Sequence, residues 1–167
     1  MSGVALSRRV EAIGLGRFIV TNDPNDELVC LGIGSCVALC IYDPGKGVAG
    51  MAHLVLPDSS EGRGTGRGAK FVDTGIPLLV AEMEALGGSR TRMVVKMAGG
   101  AHMIVVAQGN GSSVGDRNVT AARQSVVALG LAISAEEVGG SRGRTVRILA
   151  DSGRVLVASA GAEPREL

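Results

Sequence analysis

Leu31-Gly32-Ile33-Gly34-Ser35-Cys36-Val37-Ala38-Leu39-Cys40-Ile41-Tyr42-Asp43 leads through Pro44-Gly45-Lys46-Gly47 into Val48-Ala49-Gly50-Met51-Ala52-His53-Leu54-Val55-Leu56-Pro57. Two apolar runs of strand length flank a Pro/Gly turn, a pattern that predicts antiparallel strand neighbours over 37–42 and 48–56. Upstream, Leu28 to Ile33 reads as another strand. Phe18 to Thr21 reads as a further one, stopped by the turn cluster Asn22-Asp23-Pro24-Asn25-Asp26.

Downstream the period changes. Residues 58–69 are rich in Gly, Ser and Arg and read as a loop. From Lys70 to Leu86, the residues Phe71, Val72, Gly75, Ile76, Leu79, Met83 and Leu86 fall on one face at helical spacing, closed by Gly87-Gly88. A strand is predicted over 93–98, followed by Gly99-Gly100, and a Gly/Ser loop over 109–114. A second helix over 116–129 places Val119, Ala122, Val126 and Leu129 on one face. Residues 131–138 read as a strand, and 144–149 with 154–158 as a hairpin around Asp151-Ser152-Gly153. Strands, helix, strand, helix, strands is not a strict βαβ alternation. It predicts an α+β fold, with two main helices packed on one side of a mainly antiparallel sheet. Residues 1–16 read as a mobile leader, 17–160 as one domain, and 161–167 as a polar, frayed tail.

Composition narrows the function classes. Among 167 residues there are 26 Gly, one Tyr, two Phe and no Trp. The core is therefore aliphatic, and a stacking platform for single-stranded nucleic acid is excluded. Lys and Arg total 17 against 16 Asp and Glu, a net charge of +1. That charge provides no global field for nucleic acid or anionic lipid. The basic cluster Arg63, Arg67 and Lys70 reads as a solvated loop. Cys30, Cys36 and Cys40 are an odd, closely spaced set with no partners elsewhere, which fits a reducing compartment. Residues 1–16 lack the apolar run of a signal peptide, and no stretch has the length of a membrane helix. A cytoplasmic protein with no membrane insertion is expected.

With only two His and three Cys, few residues can do acid–base or nucleophilic chemistry. Gly34-Ser35-Cys36 puts flexible backbone before a thiol, allowing close substrate approach and exposed N–H groups at Gly34 and Ser35 for an oxyanion. His53 follows across the predicted turn, where antiparallel pairing brings an imidazole beside that thiol. A free thiol ionises near pH 8.5, so a neighbouring base is what makes it a nucleophile at neutral pH. The plain alternative is that Cys36 is a small core residue and His53 a satisfied strand histidine. Spacing alone leaves both open. Cys30, Cys36, Cys40 and His53 have the residue types of a zinc site but not its Cys-x-x-Cys spacing, so no metal is expected. Residues 62–70 miss the phosphate-loop pattern, no Gly-x-Ser-x-Gly elbow is present, and His102 reads as a surface or structural residue.

The quoted stretch resembles the chemoreceptor glutamine deamidase family (CheD). So do Lys70-Phe-Val-Asp-Thr-Gly-Ile-Pro77, Lys96-Met-Ala-Gly-Gly-Ala-His-Met103, Val114-Gly-Asp-Arg-Asn-Val119 and Glu137-Val-Gly-Gly-Ser-Arg-Gly-Arg144, in collinear order over roughly residues 17–158. The resemblance implies a layered α/β sandwich similar to toxin deamidases. It implies hydrolysis of selected glutamines of methyl-accepting chemotaxis receptors to glutamate through a cysteine thioester, with no cofactor. The partners it implies are the cytoplasmic helical region of chemoreceptors and a CheC-type phosphatase. The family nucleophile maps to Cys36 and its histidine to His53. The third catalytic position, a threonine in the family, is Cys30 here, and a thiol is a weak hydrogen-bond acceptor. Cys30 is also placed to form a regulatory disulfide with Cys36. The alternative to an enzyme is a non-catalytic adaptor that binds receptors or the phosphatase. A toxin-like deamidase acting on another protein is disfavoured by the lack of a secretion signal.

Overall fold

The computed structural model describes residues 7–61, 68–103 and 112–167. Two five-stranded sheets carry the chain. The outer sheet contains β1 (Arg9–Ala12), β3 (Asp26–Ile33), β8 (Arg144–Leu149), β9 (Val155–Ser159) and β10 (Arg165–Glu166), in the order β1-β3-β8-β9-β10. The central sheet contains β2 (Phe18–Thr21), β4 (Val37–Asp43), β5 (Val48–Leu54), β6 (Val94–Gly99) and β7 (Ile133–Val138), in the order β2-β5-β4-β6-β7. Helices α1 (Val72–Ala85) and α2 (Val114–Ala128) cover the far face of the central sheet. The result is an α+β sandwich of three layers, mainly antiparallel, with β1–β3 and β6–β7 as the parallel pairs.

The central sheet is apolar on both faces because both are covered. Val37, Leu39 and Ile41 point into the helix layer, while Ala38 and Cys40 point into the space between the sheets. That explains why β4 and β5 read as continuous apolar runs rather than alternating ones. Along α1 the predicted stripe Val72, Gly75, Ile76, Leu79 and Met83 is buried, joined by Val80. Leu86, placed on that stripe, is exposed because it lies at the C-cap, where the chain leaves the helix. Ser113 caps α2, its side chain accepting a hydrogen bond from the Asp116 N–H at 3.1 Å.

Two segments set outside the main domain carry sheet structure. Arg9–Ala12 pairs in parallel with Asp26–Val29, and Arg165–Glu166 pairs with Leu156–Val157. Arg9 reaches Asp26 at 2.7 Å, while the Thr21 hydroxyl donates to the same carboxylate at 2.5 Å. Short polar strands such as these have no hydrophobic period to betray them. The Gly/Arg stretch 62–67 and the first half of the 109–114 loop, residues 109–111, lie outside the described residues.

The turn between β4 and β5 is locked by Asp43, which has no exposed surface. Its carboxylate accepts from the N–H groups of Gly45 and Ser89 and from Nε and Nη2 of Arg92, all between 2.8 and 2.9 Å. The Arg92 guanidinium is the main reason its pKa is held down to about 2. Asp43→Asn is expected to cost about 1–3 kcal/mol, because donors aimed at a carboxylate lose their acceptor. A group depressed on folding stabilises above its unfolded pKa. The gap between parent and variant should therefore be full near neutral pH and shrink as pH falls from 3.8 towards about 2. Denaturant titrations across that range read it out.

Candidate active site

Gly34, Ser35 and Cys36 connect β3 in the outer sheet to β4 in the central sheet. The chain changes layer here, so no hairpin partner satisfies this turn. Its three carbonyls are instead bonded by neighbouring elements. Gly34 O accepts from the Ala101 N–H at 2.8 Å, Ser35 O from Asn118 Nδ2 at 2.9 Å, and Cys36 O from the Gly100 N–H at 2.8 Å. A trans peptide points its N–H opposite its C=O. Tying down the oxygens of residues 34 and 35 therefore turns the N–H groups of Ser35 and Cys36 the other way.

Two glycines make this arrangement possible. A Cβ on Gly99 (φ +128°) would sit 2.3 Å from Cys36 O, and one on Gly115 would lie 2.6 Å from both Gly100 O and Ala101 O. Only bare backbone lets the end of β6 and the first turn of α2 come this close to the turn at 34–36.

Strands β4 and β5 pair antiparallel, with Val37 opposite Leu54 and Ala38 opposite His53. The expected adjacency of the two segments is thus present. By alternation along β4, Cys36 and Ala38 share a face, the one turned towards the outer sheet, and His53 opposite Ala38 shares it too. The register ends with Val37 opposite Leu54; carried one position further it makes Cys36 and His53 diagonal neighbours, a relation that spans roughly 7–8 Å between backbones and lies within reach of an imidazole.

His53 is buried, and its ring is oriented by backbone. Nδ1 lies 3.1 Å from the carbonyl of Ile13. A carbonyl only accepts, so Nδ1 carries the hydrogen and Nε2 presents its lone pair. Nε2 is buried and has no hydrogen-bond partner among the described residues. The strand itself is fixed by the His53 N–H donating to Arg17 O at 2.9 Å and by the Gly16 N–H donating to His53 O at 3.0 Å.

Cys36 is partly exposed, whereas Cys30 and Cys40 are buried. Burial raises the Cys36 thiol above its ordinary value, an effect partly offset by its own backbone N–H. Cys30 is pushed up to about 12, first by burial and then by the proximity of Cys36. Cys40 is raised well above its ordinary value by burial. All three thiols are free. The bond that orients the imidazole comes from Ile13, not from Cys30. No cluster of three or more His, Cys, Asp or Glu placed to hold a metal occurs among the described residues. His102 lies on the surface, with Nε2 2.9 Å from Asp116 Oδ1.

Two groups escaped the sequence reading. The Ile13 carbonyl leaves no trace in sequence, because any residue supplies one. Asn118 did leave a signal: it is a polar side chain on the same helical face as Val119 and Ala122, fully buried in α2.

Residues 55–159 match the family model described as CheD chemotactic sensory transduction. That match begins at Val55, two positions beyond His53. Full-length relatives extend the likeness across Cys36 and His53. A protein of Symbiobacterium thermophilum named probable chemoreceptor glutamine deamidase CheD is 43% identical over 162 residues, covering 96% of this chain and 98% of its own. One of Anaeromyxobacter dehalogenans, named probable chemoreceptor glutamine deamidase CheD 2, is 44% identical over 149 residues, covering 88% and 92%. The chemoreceptor glutamine deamidase CheD of Thermotoga maritima is 38% identical over 151 residues, covering 90% and 92%.

Proposed function

The chain belongs to the CheD family, and from that premise we propose that it hydrolyses selected glutamine side chains of chemoreceptors to glutamate, with release of ammonia. The observation that carries this reading is His53 Nε2, buried and unpartnered on the face it shares with Cys36.

The Cys36 thiol is protonated at rest, because burial raises its pKa. His53 Nε2 takes the proton as Sγ attacks Cδ of the glutamine. The Ile13 carbonyl steadies the imidazolium through Nδ1–H. The N–H groups of Ser35 and Cys36 receive the developing oxyanion. His53 then returns the proton to the departing ammonia, leaving a thioester between Cys36 and the substrate. Water, deprotonated at Nε2, attacks the thioester, and glutamate leaves with the thiol restored. The scheme uses no metal or organic cofactor.

In this reading Cys30 has no part in proton transfer. Its thiol, pushed up to about 12, stays neutral, and the orienting role falls to Ile13. The test is incubation with a helical cytoplasmic fragment of a chemoreceptor, followed by mass spectrometry of its glutamines. Amide-to-acid conversion is expected. A fragment that binds but keeps every glutamine intact would overturn the reading in favour of a non-catalytic adaptor. That second reading draws on Cys30 standing where the family carries threonine, and it predicts a stable complex with a CheC-type phosphatase as the only activity. The thiol chemistry suits a reducing cytoplasm, and no helix among the described residues is long and apolar enough to cross a membrane.

The oriented imidazole makes residues 7–14, the segment that carries Ile13, part of the site. Deleting them removes β1, its Arg9–Asp26 anchor and the Ile13 carbonyl. Loss of an imidazole-orienting partner typically costs about 10–100-fold in activity. That fall is expected in kcat, measured on the receptor fragment, whereas a mere leader would leave kcat unchanged.

A further inference from the structure

Asn118 sits where strands β4 and β5 separate. Their ladder ends at Val37 opposite Leu54, so the next pair of positions, Cys36 and Val55, has no rung. Asn118 Nδ2 fills that gap, donating to Ser35 O and to Val55 O, each at 2.9 Å. One bonded residue precedes the nucleophile. The other lies two positions past the histidine. Two carbonyls cannot bond to each other, and joining them needs two hydrogens on one atom. A primary amide supplies these without introducing a buried charge.

Asn118 has no exposed surface, and its Oδ1 has no hydrogen-bond partner among the described residues. That unsatisfied acceptor is a cost, and an apolar residue would avoid it only by leaving the Ser35 and Val55 carbonyls without their donor. We infer that Asn118 is a positioning residue, which holds the nucleophile turn at a fixed distance from the histidine strand and keeps the Ser35 and Cys36 N–H groups turned outward. This rests on the deamidase reading only for its catalytic consequence; the clamp itself rests on the two hydrogen bonds.

The expected consequence is a loss in the chemical step with little loss in substrate binding. Asn118→Ala should lower kcat on the receptor fragment by about 10²-fold, with KM moving less than about threefold, as for a misplacement of about 1 Å. It should also lower the rate at which iodoacetamide alkylates Cys36 near neutral pH by about tenfold, because the Cys36 N–H no longer supports the thiolate. Val126→Ala is the control: Val126 is buried in the same helix, away from the turn. It should lower the melting temperature while keeping kcat and alkylation within about threefold of the parent. The inference is overturned if Asn118→Ala keeps both rates within that range, or if Val126→Ala reproduces the losses. If the parent protein itself deamidates nothing, the deamidase reading fails, and Cys36 alkylation alone decides the clamp. If Asn118→Ala does not fold, nuclear magnetic resonance of the parent decides. Both Asn118 Nδ2 proton resonances should shift when Cys36 is alkylated, and unmoved resonances overturn the inference.

Discussion

Cys36→Ser is expected to abolish glutamine deamidation, lowering kcat/KM by about 10⁴-fold or more, while the protein stays folded. Serine keeps nearly the same shape, and the turn around it is held by carbonyls that do not involve the side chain. What is lost is ionisability. His53 can draw a proton from a thiol, even one raised by burial, but a hydroxyl is a far weaker acid. The other thiols offer no rescue. Cys30 is held at about 12, and Cys40 is buried and raised further still. Mass spectrometry of a receptor fragment incubated with parent and variant checks this. Conversion by the variant at a rate within tenfold of the parent would remove Cys36 from the mechanism.

His53→Gln should cost kcat about 10²–10⁴-fold, the usual range for a lost general acid–base group. Glutamine retains hydrogen-bonding atoms at a comparable reach, so the turn and β5 stay in place, and KM should hardly move. Turnover of the receptor fragment by the variant checks this, and a kcat within about threefold of the parent would show that another group supplies the base. His102 would be the first to suspect, since it lies three residues past Gly99, although it is committed to Asp116.

Much of this architecture was readable from local chemistry. The turn at 44–47 and its flanking apolar runs announced the β4–β5 pair, and that pair sets Ala38 opposite His53, with Cys36 just beyond its last rung. The α1 stripe from Val72 to Met83 announced the helix layer. Less legible was the division of strands between two sheets. Val37 and Ala38 face different cores, but both are apolar, so a strand buried on two sides shows no alternation from which to infer a second layer. Strand β1 was invisible for the opposite reason: Arg9, Val10, Glu11 and Ala12 are mostly exposed, and pairing with β3 makes them a strand. Leu86 was misplaced because periodicity does not sense where a helix ends.

The sequence by itself named the candidate atoms. With two His and three Cys in 167 residues, the type and spacing of Cys36 and His53 left one nucleophile–base pair to consider. The family likeness follows from the same residues and their collinear neighbours. Only the tertiary structure decided how that pair is held. The group that sets the His53 tautomer is a backbone carbonyl at position 13, and the amide that ties together the segments carrying Cys36 and His53 comes from position 118. The physical reason is that a side chain's identity is written locally, whereas its orientation is set by whatever hydrogen-bond partner the fold delivers. In this protein those partners come from the residue just after the first strand and from the second helix, far apart in the chain.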